Sequence, residues 1–440
     1  MEDYFNSINE SWPKIPMSFR SPILSFCLLA IAASLPAQQA ATPIGSSPRK
    51  LANLIPGFLQ DTLQGLDPTI RSIILTSISP NVNLSSVNSA VATELSNLPV
   101  PSPASAQRYT FDPNLGVYVP SAQSLGPILT ERAETIGKDK FFFAVTYQRF
   151  QFDRLDQLDL RNFSFRIPVA IPAGVVGSSA IRGTIDANNS LSLMVSETTA
   201  HFTYGITHWL DASYALPIVT STVEFSTQAA FGVVPKQAIF TVPQISVRGS
   251  ATGLGDGIAR IKAKLLEQGG LTLAVAGDVR IPTGDEFNYH GAGAYGIKPF
   301  LIASLTKKFL SPHVNAGYQW NGKSFLGSST GTEKVRLPGQ LFYSAGAEAS
   351  LSPRVTVAFD VLDQIIIHGR RTFVNTETIS GTTYTTASFP NQSRHELNAA
   401  TGFKARLGRD VVLTGNLLFR LNDSGLRSRV VPLVGLSYLF

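Results

Sequence analysis

The 440-residue sequence contains one cysteine, Cys27. That excludes a disulfide framework and a cysteine-based zinc site. Charge is also scarce. Asp, Glu, Lys and Arg together make up 15% of the chain, against roughly 25% in soluble domains. The formal net charge is +6, but the basic residues form no stripe, so the balance does not indicate nucleic-acid binding. After residue 40 no apolar run approaches about 18 residues, which leaves no candidate membrane-spanning helix. Histidine occurs six times without metal-ligand spacing, and His290 near Asp285 and Glu286 reads as a loop coincidence. Neither a G-x-S-x-G elbow nor an H-x-S-N-G-like run is present, so an enzyme is not indicated. No cofactor motif is found.

What the sequence does contain is alternation. The tail, VVPLVGLSYLF, places Phe440, Tyr438, Leu436, Val434 and Pro432 on one face. Smaller or mixed residues fall between them. That period of two marks a strand whose faces meet different surroundings. The same period runs through eleven earlier stretches from Phe141 onward. The clearest pair sets Ala259, Ile261, Ala263 and Leu265 against Arg260, Lys262 and Lys264, then Leu271, Leu273, Val275, Val279 and Ile281 against Thr272, Asp278 and Arg280. Short connections alternate with long ones, the latter spanning about 154–189, 225–254, 283–296, 321–337 and 365–393. Twelve strands with that alternation predict an all-β fold, a transmembrane antiparallel β-barrel over 138–440. In lipid every backbone N–H and C=O must be paired, so the last strand is expected to close on the first. Pro217, Pro282, Pro299, Pro338 and Pro432 conflict with a continuous ladder, and Pro217 lies deepest.

The start of the chain reads as an address. Residues 1–16 are read as an upstream mis-start. Met17 begins a basic leader, an apolar core over Ile23–Leu35 and small residues to position 40, the form of a secretory signal peptide. Residues 41–137 differ from the rest. Leu51, Leu54, Ile55, Phe58 and Leu59 repeat at helical spacing, as do Leu84, Val87, Val91, Leu95 and Leu98. Asp67-Pro68 has the form of a cap and first helical position. A hairpin is expected over Tyr109–Val119. The segment is expected to be either a partly helical plug inside the barrel or a periplasmic region.

Strand parity turns Arg260, Lys262, Lys264, Asp278, Arg280, Glu348, Asp360, Lys404 and Arg420 inward, making them candidate lumen-lining residues on a solute pathway. Arg260 is expected opposite Ala276 or Asp278, and Asp256 opposite Arg280 in the first of those registers. Tyr438 and Phe440 form the candidate barrel-assembly signal at the periplasmic rim.

Three motifs carry a family resemblance. GLGDGIARIKAKLL, LAVAGDVRIPTGD and NAGYQWNG place Gly253–Asp256, Pro282–Asp285 and Gly317-Tyr318 in a pattern. It resembles the outer-membrane transporter family named for the meta-pathway of phenol degradation. The likeness spans most of 190–440. It implies an outer-membrane channel or transporter for aromatic or other hydrophobic compounds. The barrel pattern points to the lipid of a Gram-negative outer membrane, the leader to export by the Sec pathway, and the terminal aromatic resembles the signal read by the barrel-assembly machinery. Taken together, the expected function is passive uptake of small, hydrophobic or aromatic solutes, with the N-terminal segment as plug or gate. The alternatives are a structural or adhesive barrel acting through its extracellular loops, or a barrel lipid hydrolase.

Overall fold

The computed structural model describes residues 49–64, 68, 71, 85–99, 109–112, 117–120, 124–171, 181–233, 237–307, 309–328, 333–379, 381–408 and 411–439. The mis-start, the signal peptide, Asp67 and Phe440 lie outside them. Twelve antiparallel strands close into a barrel. They are β1 (Phe141–Leu155), β2 (Ile181–Gly205), β3 (Leu210–Val233), β4 in two segments (Gln237–Leu254 and Gly257–Gln268), β5 (Leu271–Ile281) and β6 (Gly296–Leu305). The wall continues with β7 (Leu310–Asn321), β8 (Gln340–Ser352), β9 (Val355–Arg370), β10 (Asn391–Arg406), β11 (Val411–Arg420) and β12 (Val430–Leu439). The closing pair is β12 with β1, in register from Leu433 opposite Gln148 to Leu439 opposite Phe142. The C-terminal strand is thus held on both sides, by β11 and β1.

Alternation decides which face meets lipid. Ile261, Leu265, Ile297, Leu301, Phe359, Phe403, Leu417 and Val434 are exposed on the outer wall. Removing such a belt from water drives insertion at roughly 25 cal/mol per Å² of apolar surface. A base placed midway along it would cost about 2–4 kcal/mol. Among the described residues no helix is long and apolar enough to span a membrane; the strands do so.

Two features differ from the sequence reading. First, much of what reads as long loop is strand. β2 has 25 residues and β3 has 24, whereas about 9–11 suffice to cross. The surplus rises beyond the long-loop rim, where Phe163–Ile171 pairs with the upper part of β2. Phe373–Ile379 and Thr382–Ser388 form a second raised hairpin. Alternation weakens there because neither face meets lipid. Second, the prolines sit where ladders lapse. Pro217 faces the interruption of β4 between Leu254 and Gly257, and its carbonyl accepts from Gly255 N at 2.8 Å. Pro299 lies between the paired residues Ile297 and Phe300. Pro432 lies between Ser428 and Leu433, the flanking contacts with β1. A missing N–H costs nothing where no partner strand asks for it.

The N-terminal segment contributes helices α1 (Leu54–Gln64) and α2 (Ser85–Leu95), as the two apolar stripes predict. Pro56 stands in the first turn of α1, where its absent N–H would be unpaired anyway. Tyr109–Asp112 pairs with Val117–Pro120 as the expected hairpin.

Candidate functional site

The inward faces of β3 to β10 do not border open water. Residues 124–139 cross between them as irregular chain. An irregular segment has no ladder of its own, so its backbone groups need other partners. The wall supplies them from side chains. Leu125 N donates to Thr356 Oγ1 at 3.0 Å, Glu131 N to Asn315 Oδ1 at 2.8 Å, Ala133 N to Ser304 Oγ at 2.9 Å and Ile136 N to Asp211 Oδ2 at 3.0 Å. Carbonyls are met as well: Lys404 Nζ donates to Leu125 O and Pro127 O, and Lys262 Nζ to Glu134 O at 2.7 Å.

Charges complete the mesh. Glu131 pairs with Arg260 at 2.7 Å and Lys262 at 2.8 Å. Arg260 also grips Asp278 through two hydrogen bonds, at 2.6 and 2.8 Å. Arg132 meets Glu348, and Thr130 contacts His313 and donates to Asp360 at 2.7 Å. His313 sits 3.3 Å from both Glu348 and Asp360. Lys404, Asp360 and Glu348 are fully buried. Buried charges persist only when paired and hydrogen-bonded, and here each finds its partner on the crossing segment or on a neighbouring strand.

Nearer the long-loop rim the interior is filled differently. Leu51, Leu54, Ile55, Val91, Ala92 and Leu95 pack with Phe150, Phe152, Leu191, Leu193 and Val223 in one apolar cluster. The C-terminal end of α2 leaves carbonyls without helical partners. Arg280 Nη1 donates to Ser96 O at 2.6 Å and Gln319 to the same oxygen at 3.0 Å. A guanidinium at a helix C-terminus also complements the helix dipole. Glu94, on α2, faces the wall cluster of Glu396, Arg394 and Arg427; burial, then the Glu396 charge, pushes its carboxyl up to about 8.

The two loop motifs meet in space. Asp256, in the break of β4, accepts from Gly284 N at 3.1 Å and Ala292 N at 2.8 Å. Thr283 Oγ1 donates to Gly255 O at 2.6 Å and accepts from Gly257 N at 3.0 Å. A Cβ at Gly291 would collide with the Asp256 carboxylate, so that position needs glycine. These contacts fold 282–295 into the barrel, where it holds the N-terminal segment. Asp285 pairs with Lys50 at 2.5 Å, Leu51 N donates to Asn288 Oδ1 at 3.3 Å, and Tyr289 Oη to Asn88 Oδ1 at 2.5 Å. Burial would raise the Asp285 carboxyl, but the Lys50 ammonium and the Phe287 and Asn288 N–H groups hold it below its usual range.

Between the two fillings lies a cavity of about 140 Å³. It is lined by the end of α2, by Leu129 and Glu131 of the crossing segment, and by wall residues including Arg260, Lys298, Phe300 and Phe342.

Of the residues singled out by parity, Arg260, Lys262, Asp278, Glu348, Asp360 and Lys404 come together around residues 124–139. Arg280 joins the upper filling. Lys264 pairs with Glu267 at 2.7 Å by the short-turn rim, and Arg420 with Asp153 at 2.7 Å and Asp423 at 3.2 Å by the long-loop rim. The register adopted is Arg260 opposite Asp278, with an irregularity between Leu273 and Ala274. Asp256 nonetheless approaches Arg280 to 3.8 Å, because the interruption of β4 frees it from the register. Tyr438 is on β12, opposite Phe143 of β1. Sequence reasoning missed Glu131, Arg132 and Lys298. The Glu131-Arg132 pair sits in a stretch with no period, and Pro299 cut the reading of β6 short of Lys298.

A closed barrel with an apolar outer belt and a polar, filled interior defines the class: an outer-membrane β-barrel protein. Within that class, residues 175–345 match the family model described as "Putative MetA-pathway of phenol degradation", the family whose motifs the sequence resembles. The chain is similar in fold to an outer-membrane channel from Pseudomonas putida F1, with 11% identity and a TM-score of 0.44, over 70% of this chain and 98% of that one. It is also similar to the NanC porin (8%, TM-score 0.35, 66% and 98%) and to the Pseudomonas putida toluene transporter TodX (9%, TM-score 0.26, 69% and 89%). No curated protein sequence matches it.

Proposed function

We propose that this protein is a channel of the Gram-negative outer membrane, exported by the Sec pathway and inserted by the barrel-assembly machinery. It admits small solutes, hydrophobic or aromatic, by passive diffusion. The segment 41–137 acts as plug and gate, and the inward charges Arg260, Lys262, Asp278, Arg280, Glu348, Asp360 and Lys404 line the path, with Lys264 and Arg420 at its two ends. Tyr438 and Phe440 serve as the assembly signal.

The observation that carries this reading is the way residues 124–139 are fastened. The contacts that hold their backbone are mostly polar, beside small apolar clusters of Ile128, Ala133 and Ile136 with the wall. A polar contact exchanges for water at a net cost of about 0.5–1.5 kcal/mol, or about 1.5–3 kcal/mol where a charge takes part. An interior meant only to brace the wall is better served by apolar packing. Twelve strands lie between the filled eight-stranded barrels and the open sixteen-stranded porins, so an occupied lumen becomes a path once the occupant shifts. Liposome swelling tests the reading. The intact chain is expected to pass small solutes slowly, and a chain shortened through residues 41–123 faster. Absence of flux from both forms would sink it.

The raised hairpins at Phe163–Ile171 and Phe373–Ser388 favour a second reading, a barrel that acts by surface attachment. Shortening them would then abolish a surface interaction while leaving flux intact.

A further inference from the structure

We propose that the cavity between the two interior fillings is a subsite for a one-ring aromatic solute bearing a carboxylate, and that Lys298 is the group that selects it. The inference deepens the channel reading and rests on it.

Size comes first. At about 140 Å³ the space is close to that of an engineered apolar cavity of about 150 Å³ that holds benzene. One wall is aromatic: Phe300 and Phe342 meet edge to face, 5.8 Å between centroids. A third ring can complete such a cluster at the usual 4.5–7 Å spacing, worth about 0.5–1.5 kcal/mol beyond its burial.

Charge then narrows the class. Every acid lining the cavity is already engaged. Glu131 is held by Arg260 and Lys262, Asp278 by Arg260, and Asp256 by two backbone N–H groups with Arg280 beyond. Asp363 accepts from Tyr343 and lies 2.9 Å from His395 Nδ1. Glu197 accepts from Thr199 Oγ1 at 2.5 Å and stands on β2, four strands around the wall from β6. The bases Arg260 and Arg280 are committed to these partners. Lys298 is not. Its cross-strand neighbour is Asp278, whose two oxygens Arg260 already occupies. Among the described residues no carboxylate lies within ion-pair distance of it. Its Nζ instead rests 4.1 Å from the centroid of Phe342 and 5.9 Å from that of Phe300. A cation over an aromatic face, with donors left over, is a place where an incoming carboxylate gains a charge-assisted hydrogen bond while its ring joins the aromatic wall. His290 lines the same cavity, and its Nε2 is buried without a hydrogen-bond partner.

The test uses the full-length protein in liposomes and three solutes of one shape: benzoate, benzyl alcohol and benzylamine. Benzoate is expected to cross about tenfold faster than the other two, a difference of one ion contact. Lys298→Gln should bring the ratio of benzoate to alcohol rate down to about one, and Lys298→Arg should restore much of the preference. Retained heat-modifiable mobility on a gel verifies that each variant is folded. Equal rates for all three solutes, faster benzylamine, or a benzoate preference that survives Lys298→Gln overturns the inference while leaving the channel reading intact. Benzoate binding to the detergent-solubilised protein, by saturation-transfer NMR, separates the remaining case. Binding lost in Lys298→Gln with no flux of any solute supports the subsite and sinks the channel. Neither binding nor flux sinks both.

Discussion

The two halves of the barrel interior are filled by the same N-terminal segment and held by different balances of apolar and polar contact. Toward the long-loop rim, α1 and α2 bury leucine, isoleucine and valine against phenylalanines of β1 and aliphatic residues of β2. Toward the short-turn rim, residues 124–139 are fastened chiefly by ion pairs and by side chains standing in for a missing ladder, with only small apolar clusters around Ile128, Ala133 and Ile136. Apolar docking is non-directional, and undocking costs free energy in proportion to area. A polar mesh needs each partner in place, and water can substitute for any one of them if it gains entry. The comparison suggests a stable cap above a releasable strap.

Breaking the cap should give the largest effect. Val91 is 1% exposed, and Val91→Asp would bury a charge with no partner, at a cost of several kcal/mol. The expected outcome is loss of amide protection across Ser85–Leu95 with the barrel intact, read by hydrogen exchange and by gel mobility. Conductance should rise with it. Unchanged protection would mean that α2 is held by its Arg280 and Gln319 caps rather than by the apolar cluster.

The strap comes next. Glu131→Gln leaves Arg260 with Asp278 alone and Lys262 short of its nearest carboxylate. Removing one member of a buried ionic group typically costs about 3–5 kcal/mol. Residues 124–139 should exchange faster and conductance should rise, while α2 keeps its protection. If α2 loosens equally, the two fillings form one cooperative unit and the contrast between them fails.

How much of this was legible in the sequence follows from what each pattern encodes. Alternation reports a difference between two faces, so it located all twelve strands wherever lipid lay on one side and polar groups on the other. It faded above the membrane, which is why 225–254 read as loop although Phe225–Val233 and Gln237–Leu254 are strand. The inward charges were found by parity alone, since parity needs no partner. Their partners on 124–139 were invisible, because an irregular segment satisfied by wall side chains has no period to detect. Pro217 looked like a fault in β3, and only the break in β4 opposite it removes the conflict. The motif around Asp256 and the one around Thr283 were each legible, but that they clasp one another depends on a loop folding inward.

A smaller, pH-dependent effect sharpens the same contrast from the cap side. The docked Glu94 carboxyl is raised from 4.5 to about 8, so docked α2 binds a proton that the undocked helix releases. The docked state therefore holds more protons between those values, and docking weakens as pH rises. The contribution is fully present below about 4.5 and lost as pH passes through about 8. The facing groups are Glu396, Arg394 and Arg427. Protection of Ser85–Leu95 should be higher at pH 5 than at pH 8.5, and Glu94→Gln should flatten the difference. A slope of opposite sign would place Glu94 in contact with the two guanidinium groups rather than beside Glu396.

The smallest effect is expected from an ion pair with good geometry and no burial. Arg166 and Asp186 join Phe163–Ile171 to β2 through two hydrogen bonds, at 2.5 and 3.2 Å. Their side chains are 46% and 39% exposed, so water screens the pair and supports either partner alone. Asp186→Asn should change stability by about 1 kcal/mol or less, with conductance unaltered. Glu131 and Asp186 each bond to an arginine at hydrogen-bond distance, yet their substitutions are expected to differ several-fold. The difference is set by whether the group left behind can reach water. Equal effects would mean that the strap is as wet as the outer hairpin, and a strap already hydrated could not act as a gate by admitting water.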